Sequence, residues 1–293
     1  MNIPFLRDDS AVVGQVQQVA PGVRRLLCGN SGPFTWRGTN TYLIGPGDGR
    51  GGVAVLDPGP EDAAHLAAIL RAVSGETVTH ILVSHTHRDH SPGAAALAEA
   101  TGAPTLGFGP HMTQGHGGDE VFNPAIRLRD GEVISGDGWQ LTALHTPGHC
   151  ANHLAFAMEE TGVLFSADHV MSWSSTVVSP PDGNMRDYMN SLAKLRAREG
   201  RDTLYLPGHG PPLPEPMPFI DALATHRRRR EARVVAALRE LGRATAPGLV
   251  GPVYGPMDPK LTGAAGRSLL ANLVMLEEDG VVARDGEEWA LVG

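Results

Sequence analysis

Residues 81–90 read Ile-Leu-Val-Ser-His-Thr-His-Arg-Asp-His, an apolar strand that runs directly into His85, His87, Asp89 and His90. At a strand end, residues two apart project to the same side, so His85 and His87 can share one metal ion. The chain then turns, and Asp89 and His90 leave at a different angle toward a second. Imidazole and carboxylate are donors suited to zinc, iron or manganese. Histidines near strand ends are often ordinary polar surface. Four metal-capable side chains in six residues are a different matter.

Working outward, residues 91–102 open a helix, with Ser91 expected as its N-cap, Pro92 as its first residue and Gly102 as its stop. Upstream, Thr39–Gly45 and Gly51–Gly59 are short apolar runs between glycines and prolines, the pattern of a hairpin. Residues 61–75 have helical apolar spacing, with Glu61 and Asp62 expected in the first turn, where the helix dipole favours acids. Downstream, strand-like pieces begin at Pro104, Glu132, Trp139, His153 and Gly162. A helix from Arg186 and a strand from Thr203 follow. Strands with interspersed helices and short links imply an α/β domain of two packed sheets.

Three more strand ends supply what a two-metal site still lacks. His149 follows a Pro-Gly turn in His-Thr-Pro-Gly-His, Asp168 ends the apolar run Val163–Ala167, and His209 follows a second Pro-Gly turn. Alone, each would pass for a turn residue. With the first motif they complete a set of five histidines and two aspartates.

A proline-rich stretch over Pro211–Pro218 breaks regular structure and predicts a boundary, with residues 1–218 as the catalytic domain and 219–293 as a C-terminal unit. That unit starts with one amphipathic helix whose apolar stripe is Ile220, Leu223, Ala224, Val234, Val235, Leu238 and Leu241. A second helix from Leu261 and two short strands give a winged-helix-like pattern.

The chain has 293 residues, 41% of them hydrophobic, enough for a substantial core, and a formal charge of −8 that disfavours general nucleic-acid or membrane-surface binding. Only Cys28 and Cys150 are present, the usage of a reducing compartment. With no signal-like start and no apolar run of membrane-spanning length, the expectation is a cytoplasmic protein without membrane association.

His-Thr-His-Arg-Asp-His, Thr-Pro-Gly-His, an Asp ending the next strand, and Pro-Gly-His-Gly, in that order, resemble the metallo-β-lactamase-fold superfamily over residues 10 to 215. Gly-Thr-Asn-Thr-Tyr-Leu-Ile-Gly, Asp-Tyr-Met-Asn-Ser-Leu and the winged-helix-like tail narrow the resemblance to its lactamase-beta-2-like branch. The resemblance implies an αββα sandwich with the site at one edge of both sheets. It implies one metal on His85, His87 and His149, a second on Asp89, His90 and His209, and Asp168 bridging them. It also implies that Asp57 supports the metal loop from behind. Cys150 stands where the family usually has Thr, Ala167 where it commonly has Gly, and His169 follows the bridging Asp.

Two divalent ions, zinc first and iron or manganese as alternatives, would provide a bridging hydroxide for attack on an electrophile. Asp89 could then carry a proton to the leaving group. The first reading of substrate is a small-molecule ester, thioester or lactone, with Trp173 and Tyr188 as candidate pocket residues. Single-strand endoribonuclease activity is the alternative, resting on the Arg227–Arg230 run and the tail. A non-catalytic binding protein would need a broken ligand set, and none is broken. A homo-oligomer is compatible with all of these.

Overall fold

The computed structural model describes residues 3–113 and 117–293. Two mixed sheets face each other. The first takes seven strands in chain order: β1 (Val16–Ala20), β2 (Val23–Leu27), β3 (Asn40–Ile44), β4 (Gly52–Leu56), β5 (Thr77–Leu82), β6 (Thr105–Gly107) and β7 (Ile126–Arg127). Pairing is antiparallel through β4, with β3 and β4 forming the expected hairpin, and parallel from β5 onward. The parallel crossovers are α1 (Ala63–Ala72) and α2 (Gly93–Thr101).

The second sheet holds β8 (Val133–Gly136), β9 (Trp139–His145), β10 (Leu154–Met158), β11 (Val163–Ala167), β12 (Leu204–Pro207) and β13 (Leu213–Pro214), neighbours in chain order. α3 (Met185–Arg196) makes the crossover between the parallel pair β11 and β12, and α4 (Pro216–Leu241) follows β13.

Strand periodicity sorts side chains into three layers. On β4, Ala54 and Leu56 face the other sheet while Val53 and Val55 face α1 and α2. On β10, Leu154, Phe156 and Met158 face inward, and Ala155 and Ala157 face α3 and α4. The fold is therefore an αββα sandwich.

β14 (Arg243–Thr245), α5 (Val250–Tyr254), α6 (Thr262–Glu278), β15 (Val282–Asp285) and β16 (Glu288–Leu291) build the winged-helix unit around Leu249, Leu269, Leu273 and Trp289. α4 serves both cores. Phe219, Ile220 and Leu223 pack on the sandwich, while Val234 and Leu238 pack in the C-terminal unit.

Several local expectations need correction. Asp62 is the N-cap of α1 rather than a first-turn residue, and its carboxylate accepts from the amides of Ala64 and His65. Ser91 does not cap α2 with its side chain, because its hydroxyl donates to Asp119 Oδ2 at 2.7 Å; Pro92 occupies the cap position. Leu241, at the end of α4, is exposed because the chain leaves the core there. β2 was hidden by Arg24 and Arg25, both buried, whose guanidinium groups are neutralised by Glu76 and Asp9.

Candidate metal centre

Asp57, His85, His149, Asp168 and His209 all lie just beyond the carboxyl ends of strands, namely β4, β5, β9, β11 and β12. The open edge of both sheets thus gathers them at one place. His85 Nε2, His87 Nδ1 and His149 Nε2 converge, with 3.1 Å between the first two and 2.9 Å between the last two. Beside them, His209 Nε2 stands 3.1 Å from Asp89 Oδ2 and 3.3 Å from His90 Nε2. Asp168 lies between the groups: Oδ2 is 3.6 Å from His149 Nε2 and 3.4 Å from His209 Nε2, and Oδ1 is 3.6 Å from His90 Nε2.

The outward nitrogens show why these inward atoms suit a cation. His90 Nδ1 donates to Asp57 Oδ2 at 3.0 Å, His149 Nδ1 to the Val177 carbonyl at 2.7 Å and His209 Nδ1 to the Gly38 carbonyl at 3.1 Å. His85 Nδ1 meets the Ser84 hydroxyl, which itself donates to Asp57 Oδ2. A neutral imidazole that donates from one nitrogen presents a bare lone pair on the other. Lone pairs aimed at each other across about 3 Å are what a metal ion satisfies. Asp168 Oδ1, buried and without a hydrogen bond, adds an anionic donor. The donor set fits divalent metal.

Electrostatics differ between the two groups. Burial, then the neighbouring ring of His149, holds His87 down to about 3, and burial holds His85 well below its ordinary value. Burial also opposes charge on His209, but Asp168 and Asp89 outweigh it and raise this imidazole to about 10. Asp89, Asp168 and Asp57 likewise raise His90 despite its burial. Without a cation, the imidazoles of His90 and His209 hold protons beside the ionised carboxylates of Asp89 and Asp168.

Main-chain clamps hold Asp168. The Asp168 amide donates to His153 Nε2 at 3.3 Å, and its carbonyl accepts from the Thr176 hydroxyl at 2.5 Å. Arg227 of α4 donates to the Thr176 carbonyl and lies 4.8 Å over the Tyr188 ring. The His209 loop is fixed by Asn40, whose amide donates to the carbonyls of Pro207 and Gly210, and by Arg25, which donates to Gly210. A Cβ at Gly208 would meet Asp168 Oδ1 at 2.4 Å, so only glycine lets the two loops approach. His153, Thr176, Arg227 and Arg25 carry no motif signature. Asn40 does stand inside Gly-Thr-Asn-Thr-Tyr-Leu-Ile-Gly.

A cavity of about 580 Å³ opens on the centre, with Phe34, Met171, Val177 and Pro180 as its apolar lining and Ser179, Asp182 and Arg267 as polar lining outside the donor cluster. Tyr188 takes no part in it. It lies on the buried face of α3, and its hydroxyl donates to the His169 carbonyl at 3.1 Å. Trp173 is not a lining residue either; it stacks on Trp36 with 5.8 Å between ring centroids. Cys150 is buried, its thiol donating toward Asn152 Oδ1 and pushed well above its ordinary pKa by burial, so it is packing rather than a nucleophile. In the arginine run, Arg227 is buried, and Arg230 packs 4.1 Å over Tyr254 and donates to its hydroxyl. Neither forms part of a free basic face.

An αββα sandwich that gathers imidazoles and carboxylates at the shared edge of its sheets is the architecture of a metal-dependent hydrolase. The chain belongs to the Metallo-beta-lactamase superfamily, whose profile matches residues 34–209, and a Beta-lactamase associated winged helix domain matches residues 245–289. It is 30% identical to the Beta-lactamase-like protein 2 homolog of Caenorhabditis elegans over 92% of this chain and 89% of that one. It is likewise 30% identical to the atrochrysone carboxyl ACP thioesterase AgnL7 of Paecilomyces divaricatus, over 92% of this chain and 83% of that one. Among solved structures, a beta-lactamase domain protein from Burkholderia ambifaria superposes with a TM-score of 0.83 at 27% identity, covering 97% of this chain and 96% of that one. These relatives place it in the lactamase-beta-2-like branch. Among the described residues, no helix is long and apolar enough to cross a membrane.

Proposed function

We propose that this hydrolase works with two divalent metal ions and cleaves a small-molecule ester, thioester or lactone. The carrying observation is the position of Asp168, whose two carboxylate oxygens face both donor groups at 3.4 to 3.6 Å. His85, His87 and His149 would hold one ion, Asp89, His90 and His209 the other, with Asp168 shared. When bound, the ions supply Lewis acidity and lower the pKa of a water so that it is nucleophilic near neutral pH.

The remaining chemistry belongs to the chain. Phe34, Met171, Val177 and Pro180 offer an apolar surface on which an acyl group shelters from water. Asp89 is part-exposed at the cavity and sits 3.1 Å from His209 Nε2, where it can pass a proton toward a departing thiolate or alkoxide. Ordered clamps on Asp168, His149 and His209 fix the donors before substrate arrives, so little reorganisation accompanies reaction. The thioesterase name of the Paecilomyces relative supports the acyl-transfer reading. Of the Arg227–Arg230 run, which with the tail carried the RNA alternative, Arg227 and Arg230 are engaged in packing, while Arg228 and Arg229 are exposed.

The test is metal-loaded protein against matched thioester, lactone, carboxylic ester and short single-stranded RNA. Chelator-sensitive cleavage of an acyl substrate is expected. Cleavage of RNA alone would overturn the substrate class.

A further inference from the structure

Arg267 lines the active-site cavity, yet it comes from α6 of the winged-helix unit rather than from the sandwich. Its placement follows from the docking of that helix. Residues four apart share a helix face, and 267, 271 and 275 form such a row. Ala271 and Met275 are buried in the cluster that α3 and α4 make with the second sheet. The same two residues line a small cavity with Pro180, Pro181 and Met185. Arg186 of α3 pins the helix end by donating to the Met275 carbonyl and pairing with Glu278 and Asp279. One turn before Ala271, the docking face runs off the core and over the cavity mouth. The residue at that point is an arginine.

Among the described residues Arg267 makes no hydrogen bond or ion pair, and it is the one lysine or arginine lining the cavity. Asp89 and Asp168 lie within the donor cluster, which leaves Asp182 as the other charged lining residue. A guanidinium is a planar, permanently charged donor suited to carboxylate and phosphate oxygens. In a chain of net charge −8, an anionic substrate needs such a local cation at the entrance.

We infer that the C-terminal unit completes the substrate site, and that Arg267 selects acyl esters or thioesters carrying an oxyanion away from the scissile bond. This rests on the ester or thioester reading above. The oxyanion could sit on the leaving arm, as a phosphate, or on the acyl part, as a carboxylate.

The test uses full-length metal-loaded protein and two matched pairs. In one pair a single acyl group is carried on pantetheine or on pantetheine 4′-phosphate. In the other, butanoyl and succinyl groups are carried on N-acetylcysteamine. Wild type should show a lower KM for the anionic member of at least one pair. Arg267→Gln should cut that preference by about two- to fivefold, the upper range for one solvent-facing charge pair, and Arg267→Lys should restore most of it. The responding pair tells which side carries the charge. An anionic-to-neutral KM ratio equal in wild type and Arg267→Gln for both pairs overturns the proposal. If wild type cleaves none of these thioesters, the thioester reading fails instead. The same ratio, taken from calorimetric Kd values of the uncleaved compounds, then decides the role of Arg267.

Discussion

Asp57 Oδ2 stands 3.0 Å from His90 Nδ1, and this contact fixes which nitrogen of His90 faces the centre. The same carboxylate accepts from the amide and hydroxyl of Ser84, the residue before His85. One side chain therefore sets two adjacent segments of the motif. Asp57→Asn removes acceptor capacity from a buried carboxylate that receives three donors. Metal affinity should fall by about 10- to 100-fold, read by competition with a chelating dye, with the fold retained by circular dichroism. Unchanged affinity would show that His90 is oriented by something else.

Arg227 acts at longer range. It holds the Thr176 carbonyl, the Thr176 hydroxyl holds the Asp168 carbonyl, and the next residue, Val177, accepts from His149. Arg227→Met leaves a buried carbonyl unpaired, a cost of about 1–3 kcal/mol. The melting temperature should drop, and metal should be lost more readily to chelator. A drop in melting temperature with no change in metal retention would limit Arg227 to a packing role.

Backbone strain separates two glycine-type positions. Gly148 has φ +133 and a Cβ there would come within 2.3 Å of the Tyr188 backbone, so Gly148→Ala must displace the His149 turn. Loss of both activity and stability is expected, since backbone has no room to yield. Ala167 has φ +43 next to Asp168, a conformation that costs an L-residue about 1–2 kcal/mol. Ala167→Gly should recover up to about 1 kcal/mol of stability, because glycine's extra chain entropy offsets part of the gain. Denaturant midpoints check both. A destabilised Ala167→Gly would mean that the methyl group contributes more by packing than it costs in strain.

The candidate ligands were legible in the sequence because their signals are local: the donors follow the ends of apolar strands, and His149 and His209 each follow a Pro-Gly turn. The supports were not. Thr176, Arg227 and Arg25 belong to common residue types and reach the centre only through tertiary contacts. Tyr188 failed as a pocket residue for the same reason. Its place on α3 was readable, but which way that helix face pointed depended on Leu192, Leu195 and the second sheet. The C-terminal unit was recognised as a fold, while its contribution of Arg267 required knowing where α6 docks.

Protonation couples to metal in a definite direction. The His209 imidazole is raised to about 10 in the metal-free protein, against an ordinary 6.5. Its favourable contribution to apoprotein stability is full below pH 6.5 and is lost as pH rises through 10. A metal ion requires the bare nitrogen. Loading at pH 7.5 should therefore release at least about one proton per chain, read by calorimetry in buffers of different ionisation enthalpy. His65 runs the other way. Burial lowers it to about 4, so the stability it contributes above pH 6.5 is lost as pH falls toward 4. Metal binding without proton release at pH 7.5 would contradict the His209 assignment.

The most direct measurement is metal stoichiometry by equilibrium titration of the demetallated chain, with acyl hydrolysis followed in the same samples. Two ions per chain are expected, with activity appearing as the second site fills. Asp168→Asn should weaken both sites and remove activity. Saturation at one ion with full hydrolysis, or full turnover by the metal-free chain, would contradict a centre in which Asp168 joins two metals.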